Sequence, residues 1–184
     1  MTRAEGLKLL KENISSQNLI KHCLATETIM RALARHFNED EERWGLAGLL
    51  HDIDYEIVKN DLSQHSLTGA KMLDAAGVDK DICQAVRVHN ENHGIPPETL
   101  LEKSLFVTDP LTGLIVAAAL VLPSKKVAGL APENILNRLG EKAFARGVNR
   151  EIIKKCEELL NLKLEEFIEI GLKAMQSISG ELGL

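Results

Sequence analysis

Five of the six histidines, His22, His51, His65, His89 and His93, fall in or beside the apolar stripe of a helical segment. His51 lies seven residues after Trp44 and four after Ala47, and His89 lies seven after Ile82 and four after Ala85, so helical periodicity turns both toward a core. His93 follows His89 at the next turn, whereas His36 sits among Arg35, Asn38, Glu39 and Asp40 and is expected in solvent. A single histidine on an apolar face is more often a hydrogen-bonded core residue than a ligand. Several in one small domain each need a partner, because an unpaired buried polar group costs about 1–3 kcal/mol. A shared metal ion satisfies them together, neutral imidazole being the commonest protein ligand for transition metals.

The stretch "LAGLLHDIDYE" sharpens that reading. Adjacent residues on a helix point about 100° apart, so an ion lying in the angle between His51 and Asp52 at a helix end is within reach of both. Asp109, four residues after Leu105, puts a carboxylate where the period calls for a buried side chain; the plainer alternative is a cap for the segment opened by Pro110. Asp54 and Glu56 are candidates to orient an attacking water or to hydrogen-bond a ligand histidine, against the plainer reading of a solvated acidic loop. Cys23, Cys83 and Cys156 are odd in number, far apart and outside any C-x-x-C pattern, which excludes a thiolate zinc site or a disulfide framework and suits a reducing cytoplasm. Ligation by nitrogen and oxygen alone fits iron, manganese, cobalt, nickel or zinc.

Helices must position these groups. Helical periodicity dominates, hairpin-bounded alternation is absent, and the expected fold class is all-α. Thr2 and Glu5 have capping-box spacing and open a first helix ending near Asn13; a second runs from about Asn18 to His36. Asp40 caps a third that delivers His51, Ser63 a fourth from Gln64 to Ala76, and Asp79 a fifth that delivers His89. After "HGIPPE" a sixth spans Glu98 to Asp109 and leads through Pro110 into the apolar run "LTGLIVAAALVL". Three more amphipathic segments start near Pro132, Asn149 and Lys163.

The chain has 184 residues, 45% apolar, 27% charged and only 3% aromatic, enough for one substantial core built from Leu, Ile, Val and Ala. Its net charge of −5 argues against a broad footprint for duplex nucleic acid and leaves room for a small anionic substrate met by local cations. The N-terminal "MTRAEGLKLLKEN" lacks the apolar stretch of a signal peptide, and Leu114 to Leu122 falls short of the roughly 20 residues of a membrane span. A cytoplasmic protein is expected, and the apolar run suits a core or, equally, a homodimer interface, its apolarity favouring the core.

His22, then His51-Asp52, then Asp109 resembles in order and approximate spacing the H…HD…D motif of the HD-domain superfamily of metal-dependent phosphohydrolases. "LAGLLHDI" is close to the form that motif takes there, and "HDIDYE", "DPLTGLIVAAAL" and "FARGVNR" resemble a subfamily of predicted HD hydrolases. The resemblance covers about residues 18–112 and implies a single HD-type domain over 1–184, an all-α core around the metal extended by C-terminal helices from about 113. It implies that His22, His51, Asp52 and Asp109 hold one metal, and that His65 and His89 complete a second site bridged by Asp52. Such pairs occur in HD proteins that hydrolyse diadenosine tetraphosphate or cyclic dinucleotides, and in di-iron HD oxygenases. Pro110 departs from the family pattern, where an acidic or polar residue often follows the last aspartate, and is expected to change the angle of Asp109.

Three activities fit. The first is hydrolysis of a nucleotide or another small phosphate ester by a water activated on one or two divalent ions, with Asp52 and Glu56 as catalytic groups. Phosphate recognition would then fall to Lys125 and Lys126, with Arg87, Arg146 and Arg150 as further candidates. The second is a di-iron oxygenase using the same ligands. The third is a non-enzymatic ligand-binding module, whose cue would be a missing ligand, and none is missing.

Overall fold

The structure, a computed structural model, describes residues 1–184. It is all-α, as expected, with no strand. Thr2 caps α1 (Arg3–Asn13) through the reciprocal capping box with Glu5, Ser16 caps α2 (Gln17–Phe37), and Asp40 caps α3 (Glu41–Leu50) by accepting from the amides of Glu42 and Arg43. Next come α4 (Leu67–Ala75), α5 (Lys80–Val88, capped by Asp79) and α6 (Leu100–Leu120). The chain closes with α7 (Pro132–Gly140), α8 (Arg150–Lys154), α9 (Cys156–Leu160), α10 (Leu164–Ser177) and α11 (Ser179–Leu182).

The two long helices α2 and α6 cross the middle of the bundle. α2 packs chiefly on α3, α6 and α10, while α6 takes α5 on one flank and α8 and α9 on another. Gly48 lets α3 lie hard against α2: a Cβ there would stand 2.8 Å from the Glu27 backbone and from the Thr26 carbonyl oxygen. That close approach brings the C-terminal end of α3, and with it His51, to the flank of α2 that carries His22.

Two elements differ from the sequence expectation. Residues 98–120 are not a helix, a break and an apolar run; α6 is one helix that passes through Pro110. Proline removes one amide and with it the partner of the Phe106 carbonyl, a penalty usually sufficient to kink or break a helix. Here Leu105, Val107, Leu111, Leu114 and Ile115 on both sides of the proline are fully buried, and that packing holds the two halves in line. Most of the apolar run is therefore core, with Leu120 and Val121 exposed at its end. α6 is also the one helix long and apolar enough to cross a membrane, and most of it is buried inside this fold.

The second difference lies before α4. Leu62–Gln64 is only a short 3-10 turn, and α4 starts at Leu67 after Ser66, which adopts a left-handed φ of 70°. The Ser66 hydroxyl donates to the Arg87 carbonyl at 3.0 Å, tying the loop to α5 and delaying the helix. The three cysteines are free and buried, as small core residues.

Candidate metal centre

Five segments contribute to one cluster. His22 comes from the second turn of α2, His51 is the C-terminal cap of α3 with Asp52 next to it, His65 precedes α4, His89 caps the end of α5, and Asp109 comes from the middle of α6. His51 is fully buried, and His89 and Asp52 are only 4% and 6% exposed.

Asp52 faces two ways. Its Oδ2 lies 3.4 Å from His51 Nε2 and 3.6 Å from His22 Nε2, while its Oδ1 lies 3.3 Å from His65 Nε2 and 3.6 Å from His89 Nε2. Asp109 Oδ1 closes the first half at 2.9 Å from His22 Nε2 and 3.7 Å from His51 Nε2. The ligand atoms of His22, His51 and Asp109, and those of His51, Asp52 and His89, are mutually close enough to share an ion.

The rings are aimed by their other nitrogens. His51 Nδ1 donates to the Gly48 carbonyl at 2.8 Å and His89 Nδ1 to the Val86 carbonyl at 2.6 Å. A carbonyl oxygen only accepts, so these Nδ1 atoms carry a proton and each ring turns its Nε2 toward Asp52. His65 Nδ1 pairs at 2.9 Å with Asp54 Oδ1, and Asp54 Oδ2 accepts the Gly69 amide at 2.7 Å. A side chain at residue 69 would crowd that carboxylate, since its Cβ would lie 3.2 Å from the carboxyl carbon. Ligand histidines commonly have their second nitrogen fixed in this way.

His89 Nε2 is buried and has no hydrogen-bond partner. A lone pair facing a carboxylate oxygen at 3.6 Å is repulsive unless a proton or a metal ion lies between them. The donor set therefore fits a divalent transition metal. Without an ion, protons on the imidazoles balance the carboxylates. Burial by itself would lower His51, but the charges of Asp52 and Asp109 and the Gly48 bond push it up to about 9. Burial likewise opposes, and the bonds to Asp52 and Asp54 overcome, a rise of His65 to about 10. Burial would raise Asp52 and Asp109, yet the surrounding imidazoles hold both well below the usual carboxylate range. The carboxylates thus stay charged and draw a cation.

A cleft of about 370 Å³ opens over His22, Asp52, His65, His89 and Asp109, walled by Tyr55 and Phe106. No Lys or Arg lines it. The structure thus gathers His22, His51, Asp52, His65, His89 and Asp109, sets Asp54 behind His65, and places Glu56 and the basic candidates elsewhere. Glu56 accepts from the Ser15 amide and hydroxyl at 3.0 and 2.8 Å and from the Ser16 amide at 2.7 Å, so its charge serves the N-terminus of α2 instead of a water at the cluster. Lys125 and Lys126 are exposed in a turn, Lys125 with a left-handed φ of 52°, and neither lines the cleft. Arg150 is spent on the carbonyls of Glu141, Phe144 and Val148, and Arg87 and Arg146 lie outside the cleft.

Two further residues support the site, His93, which the histidine pattern marked, and Asn90, which it did not. Asn90 donates to the His65 carbonyl at 3.3 Å and His93 Nε2 donates to it at 2.6 Å, so His93 braces a candidate ligand's backbone. Asn90 could have been suspected only as the cap of a short turn, which it also is.

The all-helical fold and this centre define a class, helical proteins whose buried histidines and aspartates could hold a divalent metal. The comparison with known families gives the particular one: the HD domain matches residues 19–114, more than half of the chain, and the chain belongs to that family. Among curated proteins it is similar to ribonuclease Y of Oleidesulfovibrio alaskensis, 31% identical over 140 residues that make up 74% of this chain and 27% of that protein. Ribonuclease Y of Lawsonia intracellularis is 29% identical over 142 residues, with the same shares of the two chains, and that of Nitratidesulfovibrio vulgaris is 31% identical over 140. The chain spans about a quarter of the length of these relatives, 27% in each. No solved structure matches it.

Proposed function

We propose that the chain is a phosphohydrolase acting on a nucleotide or another small phosphate ester. The observation that carries this reading is the two-sided carboxylate of Asp52, with a separate pair of imidazoles 3.3–3.6 Å from each oxygen. His22, His51, Asp52 and Asp109 would hold one ion, and Asp52, His65 and His89 a second. When bound, divalent ions lower the pKa of a coordinated water, polarise a phosphoryl oxygen and offset charge on the leaving group. Iron, manganese, cobalt, nickel and zinc all suit these ligands.

The chain's own residues supply the rest. Gly48, Val86 and Asp54 orient the rings of His51, His89 and His65, while burial of the cluster excludes bulk water from one side and the cleft admits the ester from the other. Tyr55, set edge-on to His65 with centroids 5.2 Å apart, and Phe106 offer apolar surface to an organic substituent. With no Lys or Arg lining the cleft, the charge of a phosphate would be met at the metal centre. The relatives named as ribonucleases support a phosphate ester as the bond attacked, over the oxygenase alternative.

Elemental analysis of protein purified without added metal, followed by a panel of nucleotides and bis(p-nitrophenyl) phosphate assayed with each ion, tests the reading. Metal-dependent release of phosphate or nitrophenol is expected, falling by roughly a hundredfold or more in Asp52→Ala while the helical spectrum persists. Oxygen uptake by the iron-loaded protein without ester cleavage would overturn it.

A further inference from the structure

The cleft over the metal centre is walled by two parts of the chain. Glu91 and Asn92 come from the short turn that follows His89, and Val148, Asn149 and Ile152 face the same space from the start of α8. The second group lies outside residues 19–114, so that side of the cleft is not part of the family match. The two parts meet where Asn149 Nδ2 donates to Glu91 Oε2 at 2.6 Å, a contact between residues 58 apart in sequence. Asn149 is itself held, because its Oδ1 caps α8 by accepting from the Glu151 amide at 3.1 Å.

That contact fixes a carboxylate at the rim of a site that would bind a phosphate. Glu91 is the one acidic group lining the cleft besides Asp52 and Asp109, whose oxygens face imidazoles. Arg150 and Lys155 touch the lining residues Val148 and Phe106, the first through a carbonyl and the second at 5.9 Å over the ring, without lining the cleft themselves. A neutral amide holds the Glu91 carboxylate in place without neutralising it, and Oε1 keeps no hydrogen bond. Asn92 is tied through its backbone amide to Asn90 Oδ1, and its side-chain amide is free. Tyr55 and Leu62, 40% and 50% exposed, bring apolar surface to the same cleft.

We propose that Glu91 is a specificity-determining residue: it admits phosphate monoesters of sugars or polyols, whose hydroxyls donate to it, and turns away substrates that carry a second phosphate. This rests on the phosphohydrolase reading and names the substrate class and the residue that selects it. With the scissile phosphate at the metal centre, the organic substituent extends along the cleft toward its rim. One hydroxyl then donates to Glu91 Oε1 and its neighbour accepts from the Asn92 amide, while Tyr55 and Leu62 cover the C–H side of the carbon skeleton, the mix of apolar cover and a few placed polar groups that fixes a small ligand. A second phosphate in that position would set two negative charges close together with no Lys or Arg lining the space, a like-charge contact that lowers affinity by about tenfold or more. In the cleavage, the oxygen of one water joins phosphorus, the bond from phosphorus to the sugar or polyol oxygen breaks, and that oxygen leaves as the alcohol with a proton from the water.

Phosphonates test this, because their carbon–phosphorus bond survives and binding is read without turnover. The manganese-loaded full chain is titrated by calorimetry with butylphosphonate, with the same chain ending in a vicinal diol, and with the same chain ending in a second phosphonate. Wild type is expected to bind the diol about tenfold more tightly than butylphosphonate, as for one added hydrogen bond to a charged group. Glu91→Gln, whose side-chain carbonyl still accepts from Asn149, should raise the affinity for the diphosphonate relative to butylphosphonate by about tenfold. Glu91→Ala should do the same and also abolish the preference for the diol. Asn149→Asp, which keeps the α8 cap and adds a charge beside Glu91, should lower the diphosphonate ratio further. Glu165→Gln, an exposed carboxylate of α10 that does not line the cleft, should move neither ratio. Hydrolysis of p-nitrophenyl phosphate is followed in parallel. Its absence in wild type would tell against the phosphohydrolase reading, while the affinity ratios still decide the role of Glu91. A diphosphonate ratio unmoved by both Glu91→Gln and Asn149→Asp, a wild type that binds the diol no better than butylphosphonate, or failure to bind any of the three phosphonates would overturn the proposal.

Discussion

Glu27 and Asp52 are both carboxylates sealed inside the bundle, 2% and 6% exposed, and they are satisfied in opposite ways. Glu27 takes the Arg3 Nε and Nη2 at 2.6 and 3.0 Å and the Arg31 Nε at 3.0 Å, and Arg31 continues to Glu42 at 2.7 and 3.0 Å. Those guanidinium groups are permanent cations, and their bonds to Glu42 and Glu27 hold them protonated still more firmly. Asp52 has only imidazoles, at 3.3–3.6 Å, which are neutral or charged according to pH. α2 serves both sites, through His22 and Glu27. A buried carboxylate closed by arginine is architecture, while one ringed by imidazole lone pairs can exchange protons for a metal ion.

Metal removal should separate the two most sharply. Stripping the ions from wild type is expected to lower unfolding stability by about 4 kcal/mol for each ion held at a thousandfold its dissociation constant, and to leave Asp52→Ala unmoved. Denaturant melts with and without a chelator measure this, and an equal response in both proteins would break the contrast. Next in size is Glu27→Ala, which leaves Arg31 with Glu42 alone and Arg3 without its partner and should cost about 3 kcal/mol, with metal uptake by the folded fraction retained. Loss of metal in that variant would mean that the two sites are one network.

The pH dependence of the metal-free protein is a smaller effect. His51 and His65 have folded values pushed up to about 9 and about 10 from 6.5, so their stabilisation is complete below about pH 6.5 and disappears as pH rises through 9 and 10. Asp52 and Asp109, held low, act the other way: their contribution is present above the ordinary value of 3.8 and is lost only in stronger acid. Urea midpoints of metal-free protein should therefore fall from pH 6 to pH 10, less so in Asp52→Ala, and a flat profile would contradict the charge assignment. Metal affinity should rise over the same range, because the ligands bind deprotonated. The smallest effect is expected for Glu56→Gln: a looser start to α2, with metal content and turnover unchanged. A turnover loss above about tenfold would return Glu56 to the chemistry.

What was legible in the sequence follows from the range of the forces involved. His51 and His89 obey the helical period, and the caps Thr2, Asp40 and Asp79 act within three residues, so local reading finds both the elements and the inward histidines. The partners of Glu56 lie 40 and 41 residues away, and a short acidic run gives no sign that one of its members, Asp54, is fully buried on His65 while another holds the Ser15 and Ser16 amides ahead of α2. Lys125 and Lys126 follow the apolar run and so suggested a loop over the site, and only the folded chain shows that neither lines the cleft. Pro110 misled for the same reason: its local penalty is legible, and the long-range burial that overcomes it is not.

The central claim is that one carboxylate serves two ions. Titrating metal-stripped protein with manganese or cobalt, with bound metal counted by elemental analysis, tests it directly. Two equivalents are expected for wild type, one for His65→Ala and none for Asp52→Ala, each with its helical spectrum intact. Two equivalents in His65→Ala, or full occupancy in Asp52→Ala, would contradict it.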